Sequence, residues 1–336
     1  MNAVLETRNL AIGYARQRQQ PVVVMSNINT AALGGELTCL LGPNGIGKST
    51  LMRTMAGMQP PLAGQVLLTG EDVRALDSRM LARRLSIVLT DRVDVGTMSV
   101  YDLVALGRYP HTDWMSRLKP EDREAVTHAL AIVGAASLAE RSIAELSDGE
   151  RQKVMIARAL AQDAALMLLD EPTAFLDLPR RVEIVHLLRD LAHQTGRAIV
   201  MSTHDLDLAL RTADRVWLMS TDGAFRVGAP EDLVLSGALE AAFENEGMTF
   251  DREQGVFRVN SRHGGAITVS GEGTAAIWTR RALERGGFDV VPDAVDRVEV
   301  VKSGDQTLWR VCVNGEAREC DSLYALSTLL REQKQD

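Results

Sequence analysis

A short, largely apolar run, Leu37-Thr38-Cys39-Leu40-Leu41, leads directly into Gly42-Pro43-Asn44-Gly45-Ile46-Gly47-Lys48-Ser49. The second segment matches the pattern G-x-x-x-x-G-K-[ST], and no other stretch narrows the possible folds as far. The apolar run suits a strand buried on both faces of a parallel sheet. Residues 48–56 read as a helix stopped by Gly57. A glycine-rich turn between strand and helix lets backbone N–H groups converge on phosphate oxygens. The helix N-terminus adds donors and the positive end of its dipole. Lys48 supplies a point charge for β- and γ-phosphates, and Ser49 a hydroxyl for Mg2+. Spacing and context favour this reading over a plain glycine-rich turn.

The remaining pattern supplies a sheet for that turn. Residues 5–12 and 21–25 predict strands in a β-rich start. Residues 165–169, 198–201 and 216–219 are further apolar strands, with helices predicted over 121–133, 182–191 and 205–212. Strands alternating with helices predict an α/β domain with a mainly parallel sheet. The 336 residues are 46% hydrophobic and 24% charged, which supplies a large core and excludes disorder as the main state. The 45 acidic and 37 basic residues give a net charge of −8. That balance argues against non-specific nucleic-acid binding, and no nucleic-acid partner is expected. No window reaches the ~20 consecutive apolar residues of a transmembrane helix. The start, MNAVLETRNL, predicts no secretory signal. Cys39, Cys312 and Cys320 form no CxxC pair and read as small apolar residues with reduced thiols.

Two further segments carry chemistry. Asp170 and Glu171 end the strand at 165–169. Asp170 is placed to face a metal ion, and the next carboxylate to orient or deprotonate an attacking water. Leu146-Ser147-Asp148-Gly149-Glu150 precedes a helix. Taken alone it reads as an N-cap with an acid in the first turn. A helix start of this kind also binds an anion.

In this order the motifs resemble the ATPase subunits of ATP-binding cassette (ABC) transporters, over residues 1–260. LSDGE is similar to the family's LSGGQ signature. The resemblance implies a P-loop NTPase fold of the ABC type, with a β-rich N-terminal subdomain and a helical subdomain at about 97–160. It implies ATP and Mg2+ as ligands. Residues 42–49 with Thr50 would hold the phosphates, and Tyr14 would stack on adenine. Ser49, Asp170 and Thr90 would serve the metal, Thr90 standing where the family has its Q-loop glutamine. Lys48, Glu171 and His204 would be catalytic. Ser147, Asp148, Gly149 and Glu150 would meet the nucleotide of a second copy, with Asp177 in the intervening loop. The implied partners are a second copy, integral-membrane permease subunits and, indirectly, a substrate-binding protein. The implied place is the cytoplasmic face of the inner membrane.

Gly107-Arg108-Tyr109-Pro110-His111 resembles the corresponding segment of importers of iron chelates, haem and cobalamin. The alternative is a soluble ABC-type ATPase or a nucleotide-dependent regulatory protein not coupled to transport. Two departures stand out. Thr90 replaces the glutamine, with Asp91 beside it, and Asp148 replaces a signature glycine. Residues 261–336 lie beyond the usual compact importer ATPase. They predict strands at 266–269, 298–301 and 309–313, a hairpin at Asn314-Gly315, and helices at 274–284 and 323–331. This small α+β domain is read as a dimerisation or regulatory module. The competing expectation is that Trp309, Val311 and Leu326 complete the core of the larger domain.

Overall fold

The computed structural model describes residues 2–15, 20–89, 97–115, 117–243, 248–252, 255–259, 265–303 and 306–332. It divides into two compact units, Met1–Glu244 with Arg252–Val256, and Asn245–Asp251 with Phe257–Asp336.

The first unit opens with β1 (Ala3–Tyr14), β2 (Val22–Leu33) and β3 (Leu37–Leu41). Next come α1 (Lys48–Met55), β4 (Ala63–Leu68), β5 (Glu71–Asp72), α2 (Ser78–Arg84) and β6 (Leu85–Val88). A helical stretch holds α3 (Val100–Ala105), α4 (Pro120–Ile132) and α5 (Asp148–Ala161). The unit then alternates: β7 (Leu166–Leu169), α6 (Leu178–Thr195), β8 (Ala198–Ser202), α7 (Leu206–Thr212) and β9 (Arg215–Met219). It closes with β10 (Phe225–Gly228), α8 (Pro230–Leu235) and α9 (Ala238–Phe243).

Two sheets result. β2-β1-β4-β5 is antiparallel. The six-stranded sheet runs β10-β9-β3-β8-β7-β6 and is parallel except at β10. Every residue of β3, β7 and β8 is buried, as expected of strands covered on both faces. Leu5, Ile12 and Met25 of the first sheet share one core with Leu51 and Met55 of α1 and Leu40 and Trp217 of the second. Burying each such side chain contributes about 1.5–3 kcal/mol, so α1 is clamped between the sheets with its N-terminus at the end of β3. Cys39 is fully buried within β3, and burial pushes its thiol up to about 12.

The helical stretch explains Gly107 to His111. Residues 106–111 form a 3-10 helix crossing the end of α5. A Cβ on Gly107 would lie 2.3 Å from the Arg158 carbonyl oxygen, so only glycine allows the approach. Arg108 Nε donates to Asp122 Oδ1 at 2.9 Å, and its Nη1 donates to the Ala161 carbonyl at 2.8 Å. Both partners of the pair are buried. Burial pushes the Asp122 carboxyl up, but the Lys119 amide and the Arg108 guanidinium outweigh it and hold the group below its ordinary range. Arg79 and Arg83 of α2 both donate to the Pro110 carbonyl.

The second unit contains β11 (Met248–Asp251), β12 (Val256–Val259), β13 (Ala266–Ser270), α10 (Gly273–Arg285) and β14 (Asp289–Val290). β15 (Asp296–Ser303), β16 (Gln306–Val313), β17 (Glu316–Cys320) and α11 (Leu323–Glu332) follow. β11 pairs with β12, and the main sheet runs β14-β13-β15-β16-β17. Asn314 and Gly315 both take positive φ, 53° and 81°, the conformation a two-residue hairpin needs. Trp309, Val311 and Leu326 join Ile267, Leu283 and Val298 in a core built within this unit. The Trp309 indole donates to Thr279 Oγ1 at 2.7 Å inside it.

Candidate functional site

The glycine-rich turn lies between β3 and α1, at the C-terminal edge of the parallel sheet. Gly47 is the N-cap of α1 with φ 109°, and a Cβ there would sit 2.3 Å from Val24 Cγ1. Lys48 is 6% exposed. Its Nζ donates to the carbonyls of Gly42 at 2.8 Å and Pro43 at 3.1 Å, so the ammonium curls back under the loop. Burial pushes the Lys48 pKa down, opposed by the charges of Glu171 and Asp170. Tyr14 ends β1 half-exposed, and its hydroxyl hydrogen-bonds Thr50 Oγ1 at 2.9 Å. The aromatic is thus tied to the first turn of α1 rather than sunk in the core.

Asp170 follows β7 and is 7% exposed. Ser202, buried at the end of β8, donates to Asp170 Oδ1 at 2.6 Å. The same hydroxyl accepts the Glu171 backbone N–H at 2.9 Å. Glu171 takes a left-handed φ of 50°, a turn that separates its side chain from that of Asp170. Its Oε1 shares a hydrogen bond with His204 Nε2. A cavity of about 170 Å3 adjoins the pair, lined also by Thr203 and Arg181. The sequence pattern singled out Asp170, Glu171 and His204 but missed Ser202, whose only signal is its place at the end of an apolar strand.

Ser147 and Glu150 form a reciprocal cap on α5. The Ser147 N–H donates to Glu150 Oε2 at 2.9 Å, and the Glu150 N–H to Ser147 Oγ at 3.3 Å. The Ser147 hydroxyl holds the Glu150 carboxyl below its ordinary range. The Arg180 side chain packs beside Gly149, its Cδ 3.5 Å from where a Cβ would stand, an ordinary contact distance. Asp148 is exposed at the first position of α5. Asp177 caps α6 by accepting the Arg180 N–H at 3.0 Å. Thr90, and Asp91 beside it, lie outside the described residues.

Comparison with known proteins places this geometry in a class. The ABC transporter profile matches residues 25–174, and the iron ABC transporter C-terminal domain profile matches residues 264–331. An uncharacterized ABC transporter ATP-binding protein of Methanocaldococcus jannaschii is 38% identical, over 86% of this chain and 98% of the relative. The ferric enterobactin transport ATP-binding protein of Escherichia coli is 36% identical, over 74% of this chain and 90% of its own. The solved structure of a transporter described as of metal-chelate type, facing inward, aligns with a TM-score of 0.62 and 29% identity. It covers 72% of this chain and 89% of the compared chain. The chain belongs to the ATP-binding proteins of ABC transporters. It carries the P-loop ATPase cassette of that family, and such subunits bind and hydrolyse ATP in membrane transport systems. No helix among the described residues is long and apolar enough to cross a membrane.

Proposed function

We propose that the chain energises uptake of an iron chelate, working as a homodimer on the cytoplasmic face of a membrane permease served by a substrate-binding protein. The observation that carries the substrate class is the iron-transporter C-terminal profile at residues 264–331, behind the cassette. Relatives named for achromobactin and enterobactin transport support it. Cobalamin is the second reading. A cobalamin import ATP-binding protein of Halobacterium salinarum is 40% identical over 66% of this chain and 55% of the relative.

In this reading residues 42–50 hold the ATP phosphates and Tyr14 packs on adenine. The Ser49 hydroxyl and the Asp170 carboxylate are hard oxygen donors of the kind Mg2+ takes, and these two residues would hold it. When bound, that ion neutralises phosphate charge and aligns the terminal phosphoryl group. Ser202 keeps Asp170 aimed while anchoring the backbone of Glu171. Glu171 takes the proton of the attacking water, and His204 fixes the carboxylate and reaches toward the γ-phosphate. Ser147, Asp148, Gly149 and Glu150 present the α5 N-terminus to the nucleotide of the second copy, flanked by Asp177. Tyr109 and Trp114, 66% and 90% exposed on the helical stretch, offer aromatic surface to the permease. Residues 261–336 act in dimerisation or regulation.

The test reconstitutes the chain with its co-purified permease and binding protein in vesicles. ATP-driven uptake of a ferric siderophore, and none of cobalamin, is the expected result. Uptake of cobalamin alone, or a chain that purifies with no membrane protein, defeats the iron-chelate reading.

A further inference from the structure

The main sheet of the second unit has two unlike faces. α10 and α11 pack on one, where Val298, Trp309 and Val311 are buried. The opposite face holds an open cavity of about 660 Å3, a volume typical of small-molecule sites. Its charges are largely spoken for. Arg310 lies between Glu299 at 3.9 Å and Glu319 at 3.4 Å, and Arg318 pairs with Glu316 at 2.9 Å. Arg297 is the exception among the cavity's arginines: it has no ion-pair or hydrogen-bond partner among the described residues.

Arg297 itself is exposed, and its two cross-strand neighbours differ from it. Thr268 stands beside Arg297 in the parallel register of β13 and β15. The Thr268 hydroxyl is buried and has no hydrogen-bond partner. Leaving a buried hydroxyl unmatched costs about 1–3 kcal/mol. Across the antiparallel pair, Arg297 faces Cys312, a half-buried thiol in the cavity lining. The unpaired Arg297 guanidinium lines the cavity and is a donor that a ligand with acceptor oxygens satisfies, whereas the Thr268 hydroxyl is buried behind that lining. A guanidinium fork matches the two oxygens of a carboxylate or phosphate. Cys312 and Ala317 supply an apolar floor beside it.

We propose that this sheet face binds a small organic anion, with its carboxylate or phosphate on Arg297 and its body over Cys312. The site is built within the second unit and stands whether or not the transported molecule is an iron chelate. It makes the regulatory role of residues 261–336 specific: they sense a metabolite rather than only join two copies.

The experiment uses the full chain with ADP saturating the nucleotide loop, and any phosphate taken up beside ADP there is identified as the binding that Arg297→Gln leaves unchanged. Succinate and inorganic phosphate are each titrated by calorimetry. In parallel, iodoacetamide labelling of Cys312 is followed by peptide mass spectrometry, Cys39 and Cys320 being buried. Succinate, phosphate or both should bind and slow Cys312 labelling. Arg297→Gln should weaken binding at least about tenfold, and Arg297→Lys less, because lysine keeps the charge and loses the fork. Succinate alone points to an organic acid, phosphate alone to a phosphate ester; either supports the site. The proposal is overturned if neither anion binds, if Arg297→Gln binds as tightly as the parent chain, or if binding leaves Cys312 labelling unchanged. ADP affinity and uptake in vesicles are measured on the same samples, so loss of this site is distinguishable from loss of the transport reading.

Discussion

Ser202 Oγ donates a 2.6 Å hydrogen bond to Asp170 Oδ1 and accepts the N–H of the next residue, Glu171. One buried hydroxyl on β8 therefore sets the two consecutive acidic positions that follow β7. The bond to a carboxylate is of the stronger, charge-assisted kind. Because Ser202 is fully buried, no water replaces it easily.

Ser202→Ala should lower stability by about 1–3 kcal/mol, since it leaves the Glu171 N–H unsatisfied. It should reduce kcat more than ATP affinity, because the loop 42–50 is untouched. Urea unfolding and steady-state ATPase assays check both. Unchanged kcat would show that Asp170 and Glu171 hold their positions without it.

Glu171→Gln should retain ATP binding, lower turnover by about 100-fold or more, and accumulate an ATP-bound dimer in sedimentation. The amide keeps the size of the side chain and removes the base. Turnover near that of the parent chain would move the proton to another group.

Lys48→Ala should abolish most ATP binding. The ammonium is nearly buried under the loop, so its removal deletes the cation nearest the phosphates. Equal affinity in a nucleotide titration would refute the phosphate role of residues 42–50.

Arg108→Ala should destabilise the chain by about 3–5 kcal/mol, the cost of leaving a buried carboxylate unpaired. The pH dependence has a fixed sign. Asp122 is held below its ordinary 3.8 in the folded chain, so the pair's stabilisation is complete above that value. It disappears as pH falls through the lowered folded value. The stability gap between the parent chain and Asp122→Asn should therefore close in acid. A gap that stays constant from neutral pH to below 3 would contradict the assignment.

Trp309→Ala should cost about 3–5 kcal/mol in the second unit and leave ATP affinity unchanged, since Trp309 packs in that unit's own core. Truncation after residue 259 should likewise give a soluble chain with normal ATP affinity and altered self-association or regulation. Aggregation of the truncated chain, or loss of its ATP binding, would mean that residues 261–336 complete the cassette core after all.

Much of the site was legible in the sequence because it is made of local patterns. The turn at 42–49 needs only closely spaced glycines and a lysine. The Ser147–Glu150 cap spans four residues, and the turn of the Asn314-Gly315 hairpin two. The helix at 48–55 and the apolar strands follow from periodicity, which acts over one or two turns. Elements with weaker periodicity were missed, among them β4, β6, α2 and α8.

The chemistry of the sequence alone decided that the chain holds a phosphate cradle beside paired carboxylates. Tertiary structure decided which residues serve them. β8 lies between β7 and β3: pairing with β7 brings Ser202 and His204 to the acids, and pairing with β3, across more than 150 residues, sets them beside the cradle. Arg108 reads as one polar residue in a short motif until the fold buries it against Asp122 and Ala161. Arg297 reads as an ordinary strand charge until the register places it beside an orphaned hydroxyl. Short-range hydrogen bonds and periodicity are written into neighbouring residues. Strand order, burial and the pairing of distant charges depend on the whole chain closing around its core.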